Sequence, residues 1–358
     1  MQSVGERLKQ ARVAAGLSLR ELAQRVGLSA MAISKYENDQ VVPGSEMLIR
    51  LGDALGVKAG YFHRPLQVEV RRPAYRRHSR LGKKAQGVIE GGIKEFLERY
   101  LQVEEVFEPE RVPCFEWPPS CSGTLGCVEQ AEEFAAGLRQ DWGLGEDPIA
   151  NLCETLEDRG VKVVLLAGLG DGFDGYSCWA NGSVPVVAGR SGEEVPGDRL
   201  RFTLAHELGH LLLEEHVADG VDVERACHRF AGALLVPETA ARREVGGARG
   251  QIGFGELLSL KHKWGLSMGA WLYRLADLNV ITASRHQAFR RVFSANGWHK
   301  REPGDPVEPE RTERFERLVE RAVAEDIISV SRAADFLGKP LIQVRREMAW
   351  PKGEACVS

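Results

Sequence analysis

His206 and His210 stand four residues apart, with Glu207 directly after the first. On a helix that spacing puts both imidazoles on one face, about 5–6 Å apart, which suits chelation of one ion. Glu207 then lies beside any water that such an ion binds. A bound zinc lowers that water's pKa to near 7, and a neighbouring carboxylate can take its proton. The run His206-Glu207-Leu208-Gly209-His210 thus holds the parts for metal-assisted hydrolysis. Phe202, Leu204, Leu208, Leu211, Leu212 and Leu213 make the helix predicted over 200–214 largely buried. Burying two histidines and a glutamate unpaired is expensive, and a shared cation would remove much of that cost.

A catalytic zinc needs a third protein ligand. His216 and Glu224 compete for the place. His216 follows His210 by six residues, a spacing that works only when glycine, three residues after the second histidine, turns the chain back. Leu213 stands there instead. Glu224 is better placed, because it opens a predicted helix over 223–235, closed by Pro237, that can fold back antiparallel to the first.

The elements around these residues are readable from pattern. Helices are predicted over 128–142, 149–159, 257–264 and 268–278. The apolar run 161–166 is a strand, and 176–179 and 184–188 are strands joined by Asn181-Gly182, a favourable hairpin turn. Before them, residues 4–62 read as short helices. Ser18 caps a helix over 19–26, with Glu21 completing a capping box, and Gly27 ends it. Ser29 caps the next, to about residue 38, and a further helix spans 45–55 before Gly56. Residues 64–84 carry eight basic residues (Arg64, Arg71, Arg72, Arg76, Arg77, Arg80, Lys83, Lys84) against one acid, Glu69, and read as a linker. An amphipathic helix is expected over 88–107, and helices over 315–324 and 330–337 in the tail. No internal repeat is evident.

The chain has 358 residues, a net charge of −4 and 43% hydrophobic residues. That length implies two or three domains, and the charge does not mark the whole chain as a nucleic-acid binder. No apolar run is long enough to span a membrane. The N-terminus shows no secretion signal. Seven scattered cysteines, including Cys114, Cys121 and Cys127, form no CxxC pair and read as free thiols of a reducing cytoplasm.

Two resemblances follow. Ser18-Leu19-Arg20-Glu21-Leu22-Ala23, Val26-Gly27-Leu28-Ser29 and Ile33-Ser34-Lys35-Tyr36-Glu37 resemble the phage-repressor, XRE-type helix-turn-helix family. Its second helix enters the major groove. Mapped here, the DNA-facing residues are Ser29, Ala30, Met31, Ser34 and Lys35, with Arg20 near the phosphates. The family often has Gln or Asn where this chain has Leu19, Ala30 and Met31. Apolar groups reach only thymine methyls, so direct readout is weaker, and the basic linker can add phosphate contacts. Arg201–Leu213, with Glu224 and Phe230-Ala231-Gly232-Ala233-Leu234-Leu235-Val236-Pro237, is similar to the ImmA/IrrE metallopeptidases over roughly 125–285.

That second resemblance implies a zinc held by His206, His210 and Glu224, with Glu207 as general base. The position four after the ligand Glu is usually Asn in that family; here it is His228, either a partner or transition-state donor at the site or a packing residue. Tyr176 is a candidate oxyanion donor. Residues 184–188 are a candidate edge strand for an extended substrate, although Pro185 removes one donor.

The expected fold is mainly α with a small β-sheet (α+β). Residues 1–63 form a five-helix DNA-binding domain, 64–120 a basic linker and amphipathic helix, 121–300 a zincin-like domain and 301–358 a helical C-terminal segment. The resemblance implies regulated, site-specific cleavage of a repressor protein in a stress or mobile-element response, with operator DNA as a second partner and a homodimer on paired half-sites. A competing reading is a one-component transcription factor, or an antitoxin, whose peptidase-like domain senses and cuts nothing.

Overall fold

The computed structural model describes residues 4–63, 68–71, 82–169, 172–299 and 301–349. Arg64, Arg72, Arg76, Arg77 and Arg80 of the basic stretch lie outside them. Among the described residues there are sixteen α-helices and one four-stranded sheet, so the fold is mainly α with a small sheet.

The first unit is α1 (Val4–Ala14), α2 (Leu19–Arg25), α3 (Ala30–Glu37) and α4 (Ser45–Leu55). Ser18 accepts a hydrogen bond from the Glu21 amide while Glu21 reaches back to the Ser18 amide, as the capping box requires. Gly27 takes the left-handed conformation (φ 64°) that turns α2 into α3. Leu8, Leu22, Val26, Ile33, Leu51 and Phe62 fill the shared core. The expected fifth helix is only a short 3-10 turn at Ala59–His63.

The predicted amphipathic helix is longer than its pattern suggested: α5 runs Lys83–Glu104. It is a beam rather than a linker. Near its start, a Cβ added at Gly91 would lie 2.5 Å from that of Ala14, so glycine lets α1 pack at backbone range. Further along, Glu98 forms a buried ion pair with Arg7 at 2.6 Å.

The sheet has the order β1-β3-β4-β2, formed by β1 (Val70–Arg71), β2 (Lys162–Ala167), β3 (Gly175–Ala180) and β4 (Val184–Ser191). β3 and β4 make the expected hairpin, with Asn181 and Gly182 both at positive φ. β2 pairs β4 in parallel. β4 is therefore an interior strand, and the edge role expected of 184–188 is overturned: its ladders are taken by β3 and β2. Both sheet faces are covered. Val164, Tyr176, Cys178, Val186 and Ala188 pack with Ile89, Ile93 and Leu97 of α5, whereas Val163 and Val187 join the main core on the opposite face. Double coverage explains the near-continuous apolar runs.

The main core is built by α6 (Ala131–Asp141), α7 (Leu152–Asp158), α8 (Gly197–Leu213), α9 (Val223–Leu235), α10 (Glu238–Val245), α11 (Phe254–Trp264), α12 (Met268–Asp277) and α13 (Ala283–Ala295). Pattern reading missed α10 and α13, whose residues are largely polar or exposed. The tail folds as α14 (Arg314–Ala324), α15 (Val330–Leu337) and α16 (Leu341–Glu347), packed through Phe315, Val319, Ala322, Phe336 and Val344 on Tyr100 and Val103 of α5.

Glu157 at the end of α7 is buried, and its carboxylate accepts a hydrogen bond from the Tyr100 hydroxyl at 3.2 Å. Burial pushes its pKa up to about 7, against the opposing effects of the Tyr100 hydrogen bond, Arg314 and Lys162. An acid raised in the folded state favours folding while protonated. That contribution is whole below about 4.5, its ordinary value, and is lost as pH rises to about 7. Glu157→Gln is thus expected to raise the melting temperature at pH 8 and to change it little at pH 4.5. Equal shifts at both pH values would contradict this assignment.

Candidate metal centre

α8 crosses under the sheet, and thirteen of its seventeen residues are buried. The spacing of His206 and His210 brings their Nε2 atoms to 3.1 Å. α9 folds back across α8, as its first-turn glutamate requires. The crossing is close at Gly209, where an added Cβ would lie 3.1 Å from Phe230 and 3.3 Å from the Cα of Cys227. Asp222 caps α9 by accepting from the Arg225 amide. At its far end, Arg139 donates to the Leu234 carbonyl and Arg274 to that of Val236, and Glu132 holds Arg274 through both carboxylate oxygens. Two buried guanidinium groups on the terminal carbonyls thus fix α9 where its dipole is negative.

The result places Glu224 over the histidine pair. Its carboxylate oxygens lie 3.4 Å from His206 Nε2 and 3.6 Å from His210 Nε2. A tetrahedral zinc with ligand bonds of about 2.05 Å has ligand–ligand edges of about 3.3 Å. The imidazole separation and the distance from each imidazole to its nearer Glu224 oxygen are close to that length, and the donor set of two imidazoles and one carboxylate is one zinc accepts. The residues fit the ion. Hydrogen bonds from His206 and then His210 hold the Glu224 carboxyl well below the usual carboxylate range, so it carries the negative charge a cation requires.

His228 joins the cluster. Its ring lies 4.4 Å from that of His206 and stacks on Phe202 at 5.6 Å. Ligand atoms of His206, Glu224 and His228 lie within 4.8 Å of one another. Desolvation, with His206 second, pushes its pKa down to about 4, although part of the residue is open to solvent. It is neutral at pH 7, which leaves one ring nitrogen as donor and the other as acceptor.

Glu207 is buried on the sheet side of α8, and Ser177 Oγ donates to its Oε2 at 2.7 Å. Gly175, two residues earlier on β3, leaves the room: an added Cβ would lie 2.7 Å from Glu207 Oε1. Sequence reading missed both. Tyr176 lies between them, and strand alternation turns it to the other face, where its hydroxyl donates to Glu90 of α5 at 3.2 Å. The structure does not bring Tyr176 to the site. His216 is also elsewhere, in a 3-10 turn beside Trp117 with its carbonyl bonded to the Leu125 amide.

The site opens on a groove of about 2440 Å³, lined by Phe173, Gly175, Thr203, His206, Glu207 and Glu224 among others. Ligand pockets for small molecules are about 300–1,000 Å³, so this one has room for an extended chain. Its outer wall includes Pro306–Arg311, from the segment assigned by sequence to the tail. Gly197 donates to the Val307 carbonyl at 2.8 Å, and Glu302 accepts from the Met268 and Gly269 amides at the start of α12.

In the helix-turn-helix, Met31 is 70% exposed, and Arg20 and Lys35 are exposed. The Ser29 hydroxyl is engaged as the α3 cap, and Ser34 accepts from the Asn38 side chain. Ala30 is half-buried. Among the described residues no helix is long and apolar enough to cross a membrane.

Comparison with known families accords with both halves of this architecture. Residues 8–62 match the family model described as helix-turn-helix, and residues 193–276 match the one described as IrrE N-terminal-like domain. No curated protein and no solved structure matches the chain. One chain thus carries a segment, residues 8–62, that matches an XRE-type helix-turn-helix module and a second, residues 193–276, that matches an IrrE N-terminal-like, metallopeptidase-like domain.

Proposed function

We propose that this protein is a DNA-binding regulator whose second domain is a zinc-dependent endopeptidase that cuts a repressor protein in a stress or mobile-element response. The observation that carries this reading is the convergence of His206, His210 and Glu224 beside a buried carboxylate, on a groove of about 2440 Å³. His206, His210 and Glu224 would hold zinc, which when bound supplies a Lewis acid and an acidified water. Glu207 accepts the proton of the attacking water on the carboxylate that Ser177 orients, then delivers it to the leaving amine. Neutral His228, one turn from Glu224, can donate to the developing oxyanion. The groove walls align the chain. Met31, Ser34 and Lys35 face the operator, Arg20 meets its phosphates, and a homodimer in the cytoplasm reads paired half-sites.

A second reading has one observation in its favour. α5 touches both halves: Glu90 binds Tyr176, the neighbour of Ser177, while Gly91 abuts α1 of the DNA-binding unit. A site so tied to the reading head suits a sensor, or an antitoxin, that cuts nothing.

Metal content is the first test. Wild type should bind near-stoichiometric zinc. Losing even an outer partner of a ligand costs 10–100-fold in affinity, so Glu224→Ala should lose at least about 100-fold. Equal zinc affinity in both proteins would remove the proposed centre.

A further inference from the structure

We propose that the C-terminal segment carries a second helix-turn-helix and that it binds double-stranded DNA. No repeat is visible in the sequence, yet the structure reveals one at a constant offset of 311 residues. Ser329 stands where Ser18 does, and each hydroxyl accepts from the amide three residues on, at 3.2 Å in both places. Ala334 takes the place of Ala23, and both are buried. Gly338 takes the place of Gly27, with φ 65° against 64°. The amide after each glycine closes onto the matching alanine carbonyl, Leu28 to Ala23 at 2.9 Å and Lys339 to Ala334 at 3.2 Å. α3 begins at Ala30 and α16 at Leu341, the same offset. Ile33 and Val344 are the fully buried anchors of these two helices. The first helices match as well: Leu8 and Ala11 of α1 correspond to buried Val319 and Ala322 of α14.

The outward face of α16 has the chemistry of a DNA reader. Where α3 exposes Met31 and Lys35, α16 exposes Ile342 and Arg346. Arg345 replaces Ser34 and is exposed, and Gln343 replaces Ala32. From Ser329 to Ala349 there are four basic residues (Arg332, Lys339, Arg345, Arg346) against two acids (Asp335, Glu347). Arginine on the outer face of such a helix pairs with guanine or phosphate, while the Gln343 amide donates to Glu347 in the same helix at 2.8 Å. α5 carries both units, α1 on one side and α14 with α15 on the other, and Lys58 of the first pairs with Asp335 of the second at 2.6 Å. The substitution of apolar groups in α3 would then be offset by polar ones in α16.

The test uses the full chain and a random-sequence 40-bp duplex, titrated by fluorescence anisotropy at several salt concentrations. Each lost phosphate contact reduces the slope of log K against log salt by about 0.9. The exposed double variant Arg345→Ala/Arg346→Ala should flatten the slope by about 1–2 and weaken binding at least tenfold at about 0.1 M salt. Lys35→Ala should flatten it separately, by about 1. If the double variant binds with wild-type slope and affinity while Lys35→Ala weakens, the inference falls and the N-terminal reading stands. If Lys35→Ala alone is silent, the N-terminal assignment fails instead. Circular dichroism confirming that both variants fold keeps these outcomes distinct.

Discussion

Under the proposed function, Glu207→Gln is expected to retain zinc and to lose peptide cleavage by about 10²–10⁴ in kcat, the span a positioned general base contributes. The substitution keeps the shape of the side chain. Ser177 Oγ, now 2.7 Å from Oε2, can still donate to the amide oxygen, so the α8 helix and the His206–His210 pair are undisturbed. Only the capacity to hold a proton is removed. Turnover of a randomised fluorogenic peptide library, with zinc measured on the same samples, gives both readouts. Ser177→Ala is the companion. It removes one hydrogen bond to a charged group, worth about 1.5–3 kcal/mol, and acts by positioning, so kcat should fall by about 10–100-fold with zinc retained. A Glu207→Gln protein that cleaves at the wild-type rate would end the peptidase reading. A wild-type protein that is zinc-loaded and cleaves nothing would leave the sensor.

The residues of this site were unequally legible. His206 and His210 are coded by helical spacing, which is local, and Glu224 by its position at the start of the next apolar helix. Both depend on short-range rules that need no knowledge of the rest of the chain. Ser177 was not legible, because the facing of a strand is a parity, and one step of parity exchanges Ser177 for Tyr176. Sheet order is likewise non-local. Nothing in 184–188 says that β2 returns to its far side. Arg139 and Arg274 look like surface charges in sequence and are buried carbonyl clamps in the fold. In the tail, the matching residues Ser329, Ala334 and Gly338 are few, and the similarity lies in caps, a left-handed turn and a burial pattern rather than in identities.

Glu310→Ala is expected to cost about 3–5 kcal/mol of folding stability, a large part of the total for an ordinary domain. Glu310 Oε1 accepts from Arg201 Nη1 at 2.5 Å, and its other oxygen accepts from the Leu152 and Cys153 amides at 2.7 and 3.0 Å. One carboxylate therefore neutralises a buried guanidinium on α8 and caps the start of α7. Arg201 also donates to the Ile149 carbonyl, and burial lowers its pKa against the pull of Glu310. Truncating the glutamate strands that charge, five residues from His206, and leaves two helix-end amides unsatisfied. The cost should appear as a lower urea midpoint with the slope unchanged. Glu308→Ala is the control: its side chain is exposed, and a change within about 0.5 kcal/mol is expected. A Glu310→Ala midpoint equal to that of the control would refute the role given to the carboxylate. Glu302 acts in parallel, joining Lys261 to the start of α12. A boundary at residue 300 would remove both carboxylates from the domain they hold together. Their bonds tie Glu302 to α11 and the start of α12, and Glu310 to α8 and the start of α7.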